Sequence, residues 1–199
     1  IILSFTKDDL NSFDPASNFI QKFKQKIWIE FPHFIAEDSI EHYQKFSERM
    51  SSLGLSNFFL SHISQKLLLP KNAAFACNEN VYVYNDAAAD FLLSEGAKYF
   101  SYPFENDSEN YKHISNKMGI VPVYFHPKLF ISRMPVKIKS HELFTDDMQN
   151  KYLKVVRNGI SFTIPQIPVS FLQYVNTFRK QSFKHFLIDF SFEKPSSNR

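Results

Sequence analysis

The chain has 199 residues, enough for one domain with a sizeable core, and its 23 basic and 20 acidic residues leave a net charge of +3. The two signs are well interspersed, which argues against a dedicated nucleic-acid surface. The one cysteine, Cys77, excludes an intramolecular disulfide and an iron–sulfur cluster held by this chain alone, since a cluster takes about four ligands. 

Phe is heavily used, at 23 residues, and Gly is scarce, at 4, so rings are expected to fill the core and a Gly-rich dinucleotide loop is excluded. No apolar run is long enough to span a bilayer and no signal peptide is evident, so no membrane partner is expected. A single thiol suits a reducing, cytoplasmic setting. The chain begins at Ile1 without Met and reads as a segment of a longer protein.

In chain order, residues 1–5 (IILSF) form the first expected strand. The lysines at 22, 24 and 26 suit a solvated helix face. Residues 27–31 (IWIEF), closed by Pro32, form the second strand. Residues 37–53 place Ile40, Tyr43, Phe46, Met50 and Leu53 at steps of three and four, the mark of an amphipathic helix. Residues 57–61 (NFFLS) follow the turn signal at Leu53-Gly54.

The stretch 81–134 is the densest in signals. Residues 81–84 (VYVY) are β-branched and aromatic and read as a strand. Asp86 is expected to cap the helix AAADFLLSEG, and Gly96 sits where a helix end wants a residue free to take positive φ. Residues 98–102 form the next strand, and a helix starts near Asn106, Asp107 or Ser108 and ends near Met118-Gly119. Residues 121–125 (VPVYF) are the third strand of the stretch. Repeating βα units of this length predict parallel strands with helical crossovers, and such sheets place their chemistry at the C-terminal ends of the strands.

Beyond Ser132 the pattern changes. Residues 153–157 and 160–164 flank Asn158-Gly159, a strong hairpin signal, and predict an antiparallel insertion at 152–164. Residues 168–180 suit a helix and 185–190 (HFLIDF) a strand. The count of about eight βα-type strands predicts an α/β fold. It would be a compact (β/α)8-like TIM barrel, complete or incomplete, forming a single domain over 1–193 with a disordered tail at 194–199.

The runs IWIEFP, VYVYNDAAADFLLSEGAKYFSYPFE, VPVYFHPKLFISRM and HFLIDFSFE together resemble the collagenase-like peptidases of family U thirty-two, over residues 27–193. That resemblance implies a barrel acting on peptides. It extends to oxygen-independent hydroxylation proteins of ubiquinone synthesis and of RNA modification, many of which are similar in using a four-cysteine iron–sulfur cluster. In such families a glycine and then cysteines usually follow the strand that matches 121–125. Here the run is His126-Pro127-Lys128-Leu129-Phe130-Ile131-Ser132-Arg133, with no cysteine after it, so the resemblance implies the fold without the cluster and no cofactor is expected.

Six residues are the site candidates. Glu30 and Asp189 are carboxylates inside apolar strands and must face a cavity or find a partner. Glu105 follows the strand 98–102; it is either a helix-start carboxylate or a catalytic acid, and the resemblance adds weight to the second. His126 ends a strand and could serve as a general base. Arg133 could take a carboxylate or phosphate bidentately, and Asn85 is a turn or cap residue that could also touch a ligand. The expected arrangement is a polar pocket of Glu30, Glu105, His126 and Arg133 at the strand ends, binding a peptide or small polar ligand without assured catalysis. An active peptide hydrolase using the acids and His126, and an accessory domain for RNA modification, are the alternatives. The rest of a longer polypeptide, or a partner subunit, completes the expected set of partners.

Overall fold

The computed structural model describes residues 1–5, 9, 12–134 and 137–193; the expected tail lies outside the described residues. The chain divides into two compact units, Ile1–Ile120 with Phe183–His185, and Val121–Ser182 with Phe186–Arg199.

The first unit runs β1 (Ile2–Ser4), α1 (Asn18–Phe23), β2 (Trp28–Glu30), α2 (Ile40–Ser52), β3 (Asn57–Leu60), β4 (Ala74–Cys77), α3 (Asp86–Ser94) and α4 (Ser108–His113). The four strands form one sheet in the order β1-β2-β3-β4, every pair parallel, so each strand lies beside its predecessor. Single parallel bridges, Cys77 to Phe100 and Ser101 to Ile120, carry the same progression onward. This is the consecutive parallel order that short βα units predict.

The sheet is stabilised by burial of Ile29, Phe58, Phe59, Leu60 and Phe75. The apolar stripe of α2 covers it through Tyr43, Phe46 and Met50, with the Phe31 ring 5.6 Å from both Tyr43 and Phe58. Gly96 ends α3 at φ +95, as its position suggested. A ring cluster of Tyr102, Tyr111 and Phe183, with centroids 5.3–5.8 Å apart, packs on edges.

The second unit runs β5 (Ile120–Phe125), β6 (Phe130–Ser132), β7 (Leu143–Thr145), β8 (Lys151–Arg157), β9 (Ile160–Pro165), β10 (Val169–Ser170), α5 (Val175–Lys180) and β11 (His185–Ile188). β5 lies between β10, which it pairs antiparallel, and β11. A second sheet, β6-β9-β8-β7, is antiparallel throughout. Its hairpin turns on Asn158 (φ 50) and Gly159 (φ 73), the paired positive φ of a type I′ turn. Val155, Ile160, Phe162 and Ile164 give this sheet its own small core, against which Leu153 and Phe192 pack.

The barrel expectation is therefore corrected. The described residues form a mixed α/β structure with three small sheets and no barrel-like arrangement. A (β/α)8 barrel needs parallel neighbours all the way round, whereas β6 to β9 pair antiparallel and only among themselves.

Three local expectations are corrected too. Residues 81–84 are not a strand; the strand is β4, seven residues earlier in starting point, built from the small, buried Ala74-Phe75-Ala76-Cys77. Asn78 then accepts a bond from the Asn80 amide and turns the chain into a 3-10 turn, so the β propensity of VYVY is overruled. The cap of α3 is Asn85, whose Oδ1 accepts from Ala88 N at 2.9 Å, rather than Asp86. In the segment 168–180 only Val175–Lys180 is α-helix, preceded by a 3-10 turn and β10.

Candidate functional site at the ends of the parallel strands

All four strands of the parallel sheet deliver a polar side chain at or directly after their C-terminal ends. These are Ser4 at the end of β1, Glu30 at the end of β2, Ser61 after β3 and Asn78 after β4. Because the strands run in step, the four side chains lie along one edge. Glu30 is the hub. Ser4 Oγ donates to its Oε2, and Asn78 Nδ2 donates to its Oε1 at 2.9 Å.

Asn78 is fully buried and uses its whole amide. Nδ2 also donates to Ser61 Oγ at 2.7 Å, and Oδ1 accepts from Asn80 N and Asn80 Nδ2, both at 3.0 Å. Ser61 Oγ donates to the Phe31 carbonyl at 2.9 Å. Gln65 closes the edge: its Oε1 accepts from Ser61 N at 2.9 Å and its Nε2 donates to Pro32 O at 2.9 Å. Glu79, buried beside Asn78 in sequence, adds a second carboxylate, 3.5 Å from Asn80 Nδ2.

A network satisfied to this degree holds its carboxylate in one orientation. Glu30 is half-buried rather than sealed, so its carboxylate is positioned while still reachable from solvent. Such an edge can bind a ligand through hydrogen bonds and a fixed negative charge.

The neighbouring loops belong to the same unit. After Val81 the chain passes through Tyr82 in the left-handed region (φ 57, ψ 56), then Val83, buried, and Tyr84. The Tyr82 and Tyr84 rings stack, 6.1 Å between centroids and 25° between planes. Asn85 caps α3 and is exposed, and Glu105 is exposed in the turn after the 100–101 bridges. Burial, then the charges of Glu105 and Tyr82, push the Tyr84 phenol up from its ordinary value.

The remaining three candidates fall in the second unit. His126 is buried, with Nδ1 3.0 Å from Pro165 O and Nε2 3.1 Å from Glu193 Oε1. Tyr124 Oη donates to the same Glu193 oxygen at 3.0 Å. Arg133 is exposed in the bend after β6. Asp189 lies one residue past β11 instead of inside a strand, and its Oδ1 accepts from Ser191 N at 2.7 Å, a turn-forming bond.

Ser4, Ser61, Gln65 and Asn78 are the site residues that the sequence reading missed. The available signal was a polar residue closing a short apolar run, as in NFFLS and AFACN. Among the described residues no group of three or more His, Cys, Asp and Glu side chains is placed to hold a metal ion. Cys77 is free and buried, and no helix among the described residues is long and apolar enough to cross a membrane. Compared with protein-family models, curated proteins and solved structures, the chain matches none.

Proposed function

We propose that this chain is a binding domain of the collagenase-like peptidase type without the iron–sulfur cysteines, and that it holds a peptide or small polar ligand at the C-terminal edge of its parallel sheet. The observation that carries this reading is the Glu30 carboxylate, fixed at Oε2 by Ser4 and at Oε1 by Asn78 on a strand two places away. A peptide offers the complementary groups, N–H donors and an ammonium terminus, for that carboxylate. 

Catalysis is not part of the proposal. His126 has both ring nitrogens engaged, with Pro165 O and with the Glu193 carboxylate. The cytoplasmic setting and the reliance on further chain or a partner subunit belong to the same proposal.

The test is a titration of the isotope-labelled chain with a set of synthetic hexapeptides, followed by amide NMR. The expected outcome is saturable shifts at Ser4, Ser61 and Asn78, lost or weakened roughly tenfold in Glu30→Gln, since the variant keeps the shape and removes the charge. Shifts elsewhere, or binding indifferent to Glu30→Gln, would overturn the reading.

A further inference from the structure

Two large rings on the surface of the first unit remain outside the edge network. Tyr82 is 55% exposed and Tyr84 38% exposed, and their rings stack at 25° to each other. The geometry is built. Tyr82 sits at positive φ, a conformation that residues with a β-carbon rarely adopt. Val83 between the rings is buried and anchors the loop. Asn110 Nδ2 donates to the Tyr84 carbonyl at 3.0 Å and to Asn106 Oδ1 at 2.5 Å, which ties the tyrosine loop to the turn carrying the exposed Glu105.

Charge selects the kind of partner. Of the carboxylates from Glu79 to Glu109, Glu95 and Glu109 are paired with Lys66 and Lys112 and Asp86 with backbone amides, whereas the exposed Glu105 is the one whose charge acts on the Tyr84 phenol. A phosphate-bearing ligand is repelled by that carboxylate and a cation is drawn to it. Aromatic faces beside a carboxylate are the chemistry that recognises an organic cation. A guanidinium suits it better than an ammonium: it is planar, lies flat on a ring face and forks onto a carboxylate.

We infer that Tyr82, Tyr84 and Glu105 form a platform that takes the guanidinium of an arginine side chain in the bound peptide. The inference deepens the sheet-edge reading and rests on it for the peptide, with Glu30 as the second point of attachment.

The experiment titrates the full chain, with ring-labelled tyrosine, using acetyl-Gly-Arg-Gly-amide, its citrulline counterpart and adenosine monophosphate. The arginine peptide is expected to shift the Tyr82 and Tyr84 ring signals and to bind at least about threefold tighter than the neutral citrulline peptide. Glu105→Gln is expected to shrink that preference, Tyr82→Ala to abolish it and Tyr82→Phe to retain it. Equal responses to arginine and citrulline, or a stronger response to the nucleotide, overturn the cation platform. Ring signals unmoved while Ser4, Ser61 and Asn78 amides respond to the peptides also overturn it, and leave the sheet-edge reading standing. Ring shifts and arginine preference unaltered in Glu30→Gln, with the edge amides silent, uphold the platform and sink the edge reading.

Discussion

Asn78 reaches across the end of β3 to the carboxylate of Glu30, 2.9 Å from Nδ2 to Oε1, and so ties the end of β4 to the end of β2. Neighbouring strands lie about 4.8 Å apart, so the link spans two strand spacings, with Ser61 on the intervening strand bound by the same amide nitrogen. Asn78→Ala would leave a half-buried carboxylate oxygen, a hydroxyl and the Asn80 amide short of a partner. The expected loss is about 2–3 kcal/mol in urea unfolding. Asn78→Asp should be worse at neutral pH and recover as the pH falls, because the new carboxylate stands against Glu30. A variant that unfolds at the wild-type midpoint would show the link to be ornamental.

Gly119 meets rings rather than open space. A β-carbon there would lie 2.2 Å from Tyr102 Cε2 and 2.7 Å from Phe100 Cε2, both in fully buried side chains. Tyr102 cannot swing aside without giving up the bond from its hydroxyl to the Asn116 carbonyl at 2.6 Å. Gly119→Ala is expected to cost about 3 kcal/mol by overpacking, read as a shifted denaturation midpoint. Gly159→Ala is the control. It meets nothing within 4 Å and is strained only by its φ of +73, so its cost is expected near 1 kcal/mol.

Asp86, displaced from the cap of α3, holds the loop after α4 instead. Both its oxygens accept from Ser115 N at 3.0 Å, and Oδ1 accepts from Asn116 N at 2.8 Å. These backbone bonds, with Lys117 adding a smaller attraction, hold its carboxyl below the usual carboxylate range. A carboxylate with a depressed folded value contributes stability that is full above the unfolded value of about 4 and fades as the pH falls through the folded one. The stability difference between wild type and Asp86→Asn should therefore shrink on acidification below pH ~4. A difference constant from pH 6 to pH 2 would contradict this role.

Cys77 ends β4 with no exposed surface, and burial pushes its thiol up to about 12. The thiolate is the reactive form, so the native chain should label with a thiol reagent at pH 8 only as fast as it opens, and fully in denaturant. Rapid native labelling would show that β4 is not buried as described. With one cysteine in the chain the signal has a single source.

How much of this was legible beforehand follows from where the deciding forces act. Periodicity and turn chemistry are local, so α2, the strands β1, β2 and β3 and the type I′ hairpin at Asn158-Gly159 could all be read from neighbours in sequence. Burial is not local. Ala74-Phe75-Ala76-Cys77 has little β propensity and becomes a strand because the sheet covers it, while VYVY has high propensity and becomes a surface loop because the buried Asn78 amide turns the chain first.

The site divides in the same way. A carboxylate inside an apolar run marked Glu30 as a residue in need of partners, and that much the amino-acid order determined. The partners are Ser4, 26 positions before it, and Asn78, 48 positions after it, and only the parallel register of the sheet brings them together. The closure of the fold was likewise a tertiary decision. The strand number is about what a barrel needs, but β6 to β9 pair antiparallel and only among themselves, so they add no strand to the parallel sheet.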